Sequence, residues 1–227
     1  MRKFWNWQKN EDETRTLRLE GAIAEETWWG DEVTPKLFKQ ELFSGEGDVT
    51  VWINSPGGDV FAAARIYNLL KEYPGKVTVK VDGIAASAAS VIAMAGEETL
   101  MSPVSYMTIH NPATIAIGDS AEMLRAKATL DEIKEGIINA YELKTKLDRE
   151  RISKMMDEEF CFNAKKALEL RFADGILYGD DPEQDVPPPV LFSRATVTNS
   201  LLEKMLARPR AGMPVELFDK RMDLLNH

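Results

Sequence analysis

"KVTVKVDGIAASAASVIAMAG", residues 76–96, decides the fold. Lys76 to Val81 is a β-branched stretch that reads as a strand. The remainder of the stretch is too long and too rich in alanine to continue as a strand, and it reads as a turn before a short buried helix. Small residues at such a place let backbones pack closely. A serine at the turn from strand to helix can also be held exposed with backbone N–H groups beside it, so Ser87 and Ser90 carry two readings, chemistry and packing.

Working outward, "DVTVWIN" (residues 48–54) is a second strand that runs into "SPGGDV". The next stretch, "FAAARIYNLLKEY", places Phe61, Ala64, Ile66, Tyr67 and Leu70 at helical spacing and stops at Tyr73-Pro74-Gly75. Upstream, "TLRLEGAI" (16–23) is a strand, Trp28 and Trp29 lie in the connection, and "TPKLFKQELF" is a helix with Thr34 as N-cap and Pro35 at its first position. Downstream come two short strands, "ETLMS" and "SYMTIH". The alternation of strand and helix predicts an α/β fold of repeated β-α-β units. Asp119 to about Glu159 is helix-forming and charged, with Leu130, Ile133, Ile137, Tyr141 and Leu143 as a partial apolar stripe. A helix of ~30 residues reaches ~45 Å, more than one domain needs, so it projects or packs on another subunit.

The composition bounds the class. The 227 residues are 44% hydrophobic and 29% charged with a formal charge of −9, which fits one globular domain with appendages and speaks against a nucleic-acid surface. Domain limits are read as an N-terminal segment (1–15), a main domain (16–178), a proline-rich acidic linker (179–190) and a C-terminal tail (191–227). The most nearly apolar run, Ile84 to Ala95, is interrupted by serines and is shorter than the ~18 residues of a membrane span. The start "MRKFWNWQKN" lacks the apolar core of a signal peptide, and Cys161 is the one cysteine, so no internal disulfide and no thiolate zinc site is expected. These readings predict a cytoplasmic protein with no membrane, nucleic-acid, metal or cofactor partner.

A serine nucleophile needs a base, and histidine is the usual one. Of the two histidines His227 is the last residue, which leaves His110, at the end of "YMTIH" and followed by Asn111-Pro112. Gly57-Gly58 before a helix can present bare N–H groups to an anion. Taken singly, each signal has a plain structural explanation: a packed histidine, a Pro-Gly turn, a small-residue helix start.

Together, "INSPGGDV", "GIAASAAS" and "MTIHNP" resemble the proteolytic subunit of the Clp protease family over about residues 16–178. The stretches "MDEEFCFNAKKALELRFADGI" and "LFSRATVTNSLLEKM" look most like the phage and prophage branch assigned to capsid (head) maturation. The resemblance implies a ClpP/crotonase-type fold in which Asp119–Arg149 is a long projecting handle helix through which rings of subunits interlock around a chamber. It makes Ser87 the nucleophile, His110 the general base, and the N–H groups of Gly58 and Ala88 the oxyanion hole, with Ser90 a packing residue. The family's aspartate falls on Glu159, with Asp157 the competitor, and Asn163 replaces the serine or threonine of the following motif as an N-cap.

The function so implied is a serine endopeptidase working through an acyl-enzyme inside a homo-oligomeric ring, with polypeptides as substrate. Candidate partners are a Clp-type ATPase or phage capsid proteins. The alternatives are an inactive ClpP-like ring or scaffold protein, a crotonase-like enzyme acting on an acyl thioester, and a serine–lysine peptidase for which no lysine is obviously placed.

Overall fold

The computed structural model describes residues 4–9, 15–23 and 35–178. The expectations for Trp28, Trp29, Thr34, the linker, the tail and His227 lie outside the described residues.

In chain order the elements are β1 (Trp5–Lys9), β2 (Arg15–Glu20), α1 (Pro35–Leu42), β3 (Val49–Ser55), α2 (Val60–Glu72), β4 (Val77–Ala86), α3 (Ala88–Ala93), β5 (Glu98–Met101), β6 (Tyr106–Thr108), α4 (Ser120–Thr145), α5 (Arg149–Asp157), β7 (Cys161–Asn163), α6 (Ala164–Glu169) and β8 (Gly175–Ile176). The sheet runs β1-β2-β3-β4-β5-β8, with β6 joined to β4 and β7 joined to β6. From β2 to β8 the neighbours are parallel, whereas β1 on β2 and β7 on β6 are antiparallel. The strands bury alternate residues: Val49, Val51 and Ile53, and Val77, Val79 and Val81, point into the core. Against them α2 sets Ala62, Ala63, Ile66, Leu69 and Leu70.

β4 organises the molecule. Its first half pairs with β5 through Thr78–Val81, and its second half leaves β5 and pairs with β6 through Ile84–Ala86. The switch falls at Asp82-Gly83, where the register against β3 also shifts between Ile53 and Ser55. At that irregularity the Asn54 side chain takes the place of a ladder partner and accepts the Ile84 N–H (3.3 Å). Gly83 makes room for it, because a Cβ there would lie 2.4 Å from Asn54 Oδ1.

Five features differ from the sequence reading. "GIAA" belongs to β4, so the strand continues to Ala86 and the turn shrinks to Ser87 alone. The expected single long helix is two helices: α4 stops with Lys146 in the left-handed region (φ 59°), and Asp148 caps α5 by accepting from the Glu150 and Arg151 N–H groups. On α4, Ile137 and Tyr141 are buried as expected, whereas Leu143 is exposed. Residues 161–163 form a strand before the helix that Asn163 caps through Lys166 N–H (2.9 Å), and Trp5–Lys9 of the N-terminal segment joins the sheet edge.

Gly83→Ala should displace the Asn54 carboxamide and cost about 1–2 kcal/mol, measured as a lower urea midpoint with unchanged slope.

Candidate active site

The turn between β4 and α3 is one residue long. Ser87 has φ 54° and ψ −127°, a backbone that side-chain-bearing residues rarely adopt. Three contacts hold it. Its N–H donates to Thr108 O on β6 (2.9 Å), its C=O accepts from Ser90 N–H (3.0 Å), and the Pro56-Gly57-Gly58 loop presses on it from β3. A Cβ on Gly57 would lie 2.6 Å from both Ala86 O and Ser87 Cβ. The small residues that suggested close packing therefore also hold the serine in its strained conformation.

His110 follows β6 by two residues, and the pairing of β6 with β4 brings it to the elbow: His110 Nε2 is 2.6 Å from Ser87 Oγ. Both residues are half-buried. With the ring proton on Nδ1, Nε2 accepts the serine hydroxyl, the arrangement in which an imidazole takes a proton from a nucleophile.

The glycine loop is set by a bridge to Ile23. Ile23 N–H donates to Gly57 O and Asp59 N–H donates to Ile23 O, both at 2.9 Å, which leaves the Gly58 N–H outside the bridge. The Gly57 N–H is taken by Ser55 Oγ (3.1 Å), whose own hydroxyl donates to Gly21 O (2.6 Å). The loop leans on the N-terminus of α3, since a Gly57 Cβ would be 3.0 Å from Ala88 N. Ala88 is the first residue of α3, so no carbonyl of its helix reaches its N–H. Gly58, next to the glycine that touches Ser87, and Ala88, directly after Ser87, thus carry backbone donors that nothing among the described residues occupies.

The two candidate acids separate. Asp157 is exposed, and its Oδ1 accepts from Asn111 Nδ2 (2.8 Å) and Lys134 Nζ (2.7 Å). The Asn111 amide, then the Lys134 charge, holds this carboxyl below its usual range. Glu159 stands elsewhere. The β6–β7 register pairs Tyr106 with Asn163, Met107 with Phe162 and Thr108 with Cys161, and Ile109 N–H donating to Phe160 O (3.1 Å) carries it one step further. The next pair in this register is His110 with Glu159. Glu159 is half-buried, with a left-handed backbone (φ 50°), immediately after the C-terminal turn of α5.

Ser90, read as a packing residue, is packed and also hydrogen-bonded. It is buried, and its hydroxyl donates to Ser87 O (2.5 Å) and lies 2.8 Å from Tyr141 Oη. Ser55 and the hydrogen bond of the Tyr141 hydroxyl escaped the sequence reading. A serine ahead of Pro-Gly-Gly was the one signal for Ser55, and Tyr141 stood out only as part of a helix stripe. Among the described residues no group of three or more His, Cys, Asp and Glu is arranged to hold a metal ion.

Residues 7–180 match the family model described as Clp protease. The chain is 33% identical over 153 residues to the ATP-dependent Clp protease proteolytic subunit 1 of Chlamydia muridarum, covering 65% of this chain and 79% of that protein. It is 28% identical over 171 residues to the proteolytic subunit 2 of Treponema denticola, covering 74% and 81%. A solved structure of a ClpP1 mutant from Listeria monocytogenes superposes with a TM-score of 0.63 at 24% identity, covering 74% of this chain and 93% of that one. That likeness shows a ClpP-type fold.

The strained elbow gives a stability prediction. Ser87→Gly and Ser87→Ala both lack the hydroxyl, but only alanine must bear the left-handed backbone. The glycine variant should be the more stable of the two by about 1 kcal/mol in denaturant unfolding.

Proposed function

Since this chain belongs to the Clp protease family, we propose that it is a serine endopeptidase that hydrolyses peptide bonds through an acyl-enzyme on Ser87. The observation that carries this reading is the 2.6 Å contact of Ser87 Oγ with His110 Nε2 at a strained elbow between strand and helix. His110 takes the hydroxyl proton as Ser87 Oγ attacks the scissile carbonyl. The carbonyl oxygen, now anionic, is received by the Gly58 and Ala88 N–H groups, and His110 returns the proton to the leaving amine. Water, deprotonated by the same imidazole, releases the acyl group. Glu159 accepts from His110 Nδ1–H, fixing the tautomer and offsetting the charge of the imidazolium; Asp157 is committed to Asn111 and Lys134.

Family members act on polypeptides in oligomeric rings, generally with Clp ATPases. In this chain the surface that supports assembly lies on and before the first half of α4, where Ile115, Ile117, Met123 and Leu124 expose apolar side chains. An enclosed chamber confines an unspecific serine site to threaded or unfolded chains. Among the described residues no helix is long and apolar enough to cross a membrane, and a cytoplasmic site of action fits. The narrower assignment, maturation of phage capsids in place of ATPase-coupled degradation, rests on residues 156–176 and 191–205 of the sequence. Selective cleavage of a folded capsid precursor without an ATPase would support it.

The first experiment is fluorophosphonate labelling of the assembled protein, read by peptide mass spectrometry. Labelling should be confined to Ser87 and slowed at least ~100-fold in His110→Ala; an assembled, folded wild type that is not labelled would instead favour the scaffold reading. Glu159→Gln should lower kcat by about 10²–10⁴, whereas Asp157→Asn should stay close to the wild-type rate. The reverse order would move the acid to Asp157. In sedimentation velocity, Leu124→Glu should shift the protein to smaller species while its circular dichroism is unchanged.

A further inference from the structure

The peptide group between Ser87 and Ala88 has two ends. Its N–H is one of the donors assigned to the oxyanion. Its C=O, at the other end of the same rigid plane, accepts two hydrogen bonds from Ser90, one from the N–H (3.0 Å) and one from Oγ (2.5 Å). A carbonyl has no proton to give, so the Ser90 hydroxyl proton is spent there. The 2.8 Å contact between Ser90 Oγ and Tyr141 Oη must then be a donation from the phenol. The three groups form a chain with one direction, Tyr141 O–H to Ser90 Oγ–H to Ser87 C=O.

Ser90 and Tyr141 are both buried. Burial pushes the Tyr141 phenol well above its ordinary pKa, more than the Ser90 contact pulls it down, so the phenol keeps the proton it donates. Tyr141 is itself fixed: it sits on α4, its backbone carbonyl accepts from Thr145 Oγ1 (2.7 Å), and its ring packs edgewise on Phe172 at 5.5 Å between centroids. A serine that bonds back to a carbonyl three residues earlier is common in helices. Here a tyrosine 51 residues further along the chain completes the bond in a place closed to water.

We propose that Ser90 and Tyr141 are positioning residues for the oxyanion hole, holding the carbonyl end of the Ser87–Ala88 peptide so that its N–H points at the tetrahedral oxygen. The plane turns as one body, so fixing the carbonyl fixes the N–H. Donation into the carbonyl also polarises the peptide and strengthens its N–H as a donor. This inference rests on the acyl-enzyme reading for its consequence and on the hydrogen-bond geometry for its cause.

The test uses the full-length assembled protein with Tyr141→Phe, Ser90→Ala and the double variant. Against a fluorogenic peptide each single variant should lose ~10-fold in kcat with KM unchanged, and the double variant should be no worse than Ser90→Ala because the two act in series. The pH inflection of kcat/KM should not move, since His110 is untouched. A peptide boronate, whose tetrahedral adduct places an oxygen in the hole, should weaken in step with kcat, and a product peptide should not. Crystal structures of wild type and Ser90→Ala read the orientation of the 87–88 plane independently of activity. A rotated or doubled plane in the variant supports the proposal, and a plane left in place overturns it whatever the rates do. If the acyl-enzyme reading itself fails, that appears separately, as wild-type Ser87 that no fluorophosphonate labels.

Discussion

The left-handed backbone of Ser87 is the constraint on which the rest of the structure depends. Held in isolation it costs about 1–3 kcal/mol, so the surrounding elements must over-determine it, and they do so from three directions. β6 takes its N–H through Thr108, α3 takes its carbonyl through Ser90, and the Pro56-Gly57-Gly58 loop fills the space above it to within a Cβ of contact. Remove any one and the residue has a softer conformation to fall into. The strain turns the chain from strand to helix in a single residue, which lifts Oγ clear of the sheet and leaves the next N–H without a helical partner.

β4 is what allows three elements to meet at one residue. A strand with the same partners along its whole length would end beside β5, away from the histidine. By changing partner at Asp82-Gly83, β4 is tied to the core by Val77, Val79 and Val81 and delivers its last three residues to β6. β6 is only three residues long, yet it pairs with β4 on one side and β7 on the other. His110 and Glu159 follow those two short strands in one antiparallel register, so backbone hydrogen bonding draws Ser87, His110 and Glu159 toward one end of the sheet.

The same pairing accounts for which parts were legible in the sequence. Ser87, His110 and Gly57-Gly58 each sit in a local motif whose residue types are dictated by the backbone they must adopt. The β-α-β order was equally local, because β-branched runs and helical spacing are visible within single segments. Features that depended on distant pairing were not legible. No glycine or proline announces the break at Lys146, which is set by the left-handed cap and by Asp148 starting a new helix. β7 is too short for its alternation to register, yet its pairing with β6 is what carries Glu159 into register with His110 while Asp157 stays on α5. Nothing in the order of residues could place Tyr141 against Ser90.

The Ser90–Tyr141 pair is also hard to account for as packing. A buried hydroxyl is costly unless it is bonded, by roughly 1–3 kcal/mol when orphaned, and these two satisfy one another and the Ser87 carbonyl. Taking one away leaves the other short of a partner, whereas alanine and phenylalanine together would fill much the same space with no polar group to satisfy, at little net cost to stability. A core selected for stability alone has no need of this arrangement. What the pair fixes in the folded protein is one carbonyl, Ser87 O, whose peptide plane carries the Ala88 N–H at its other end.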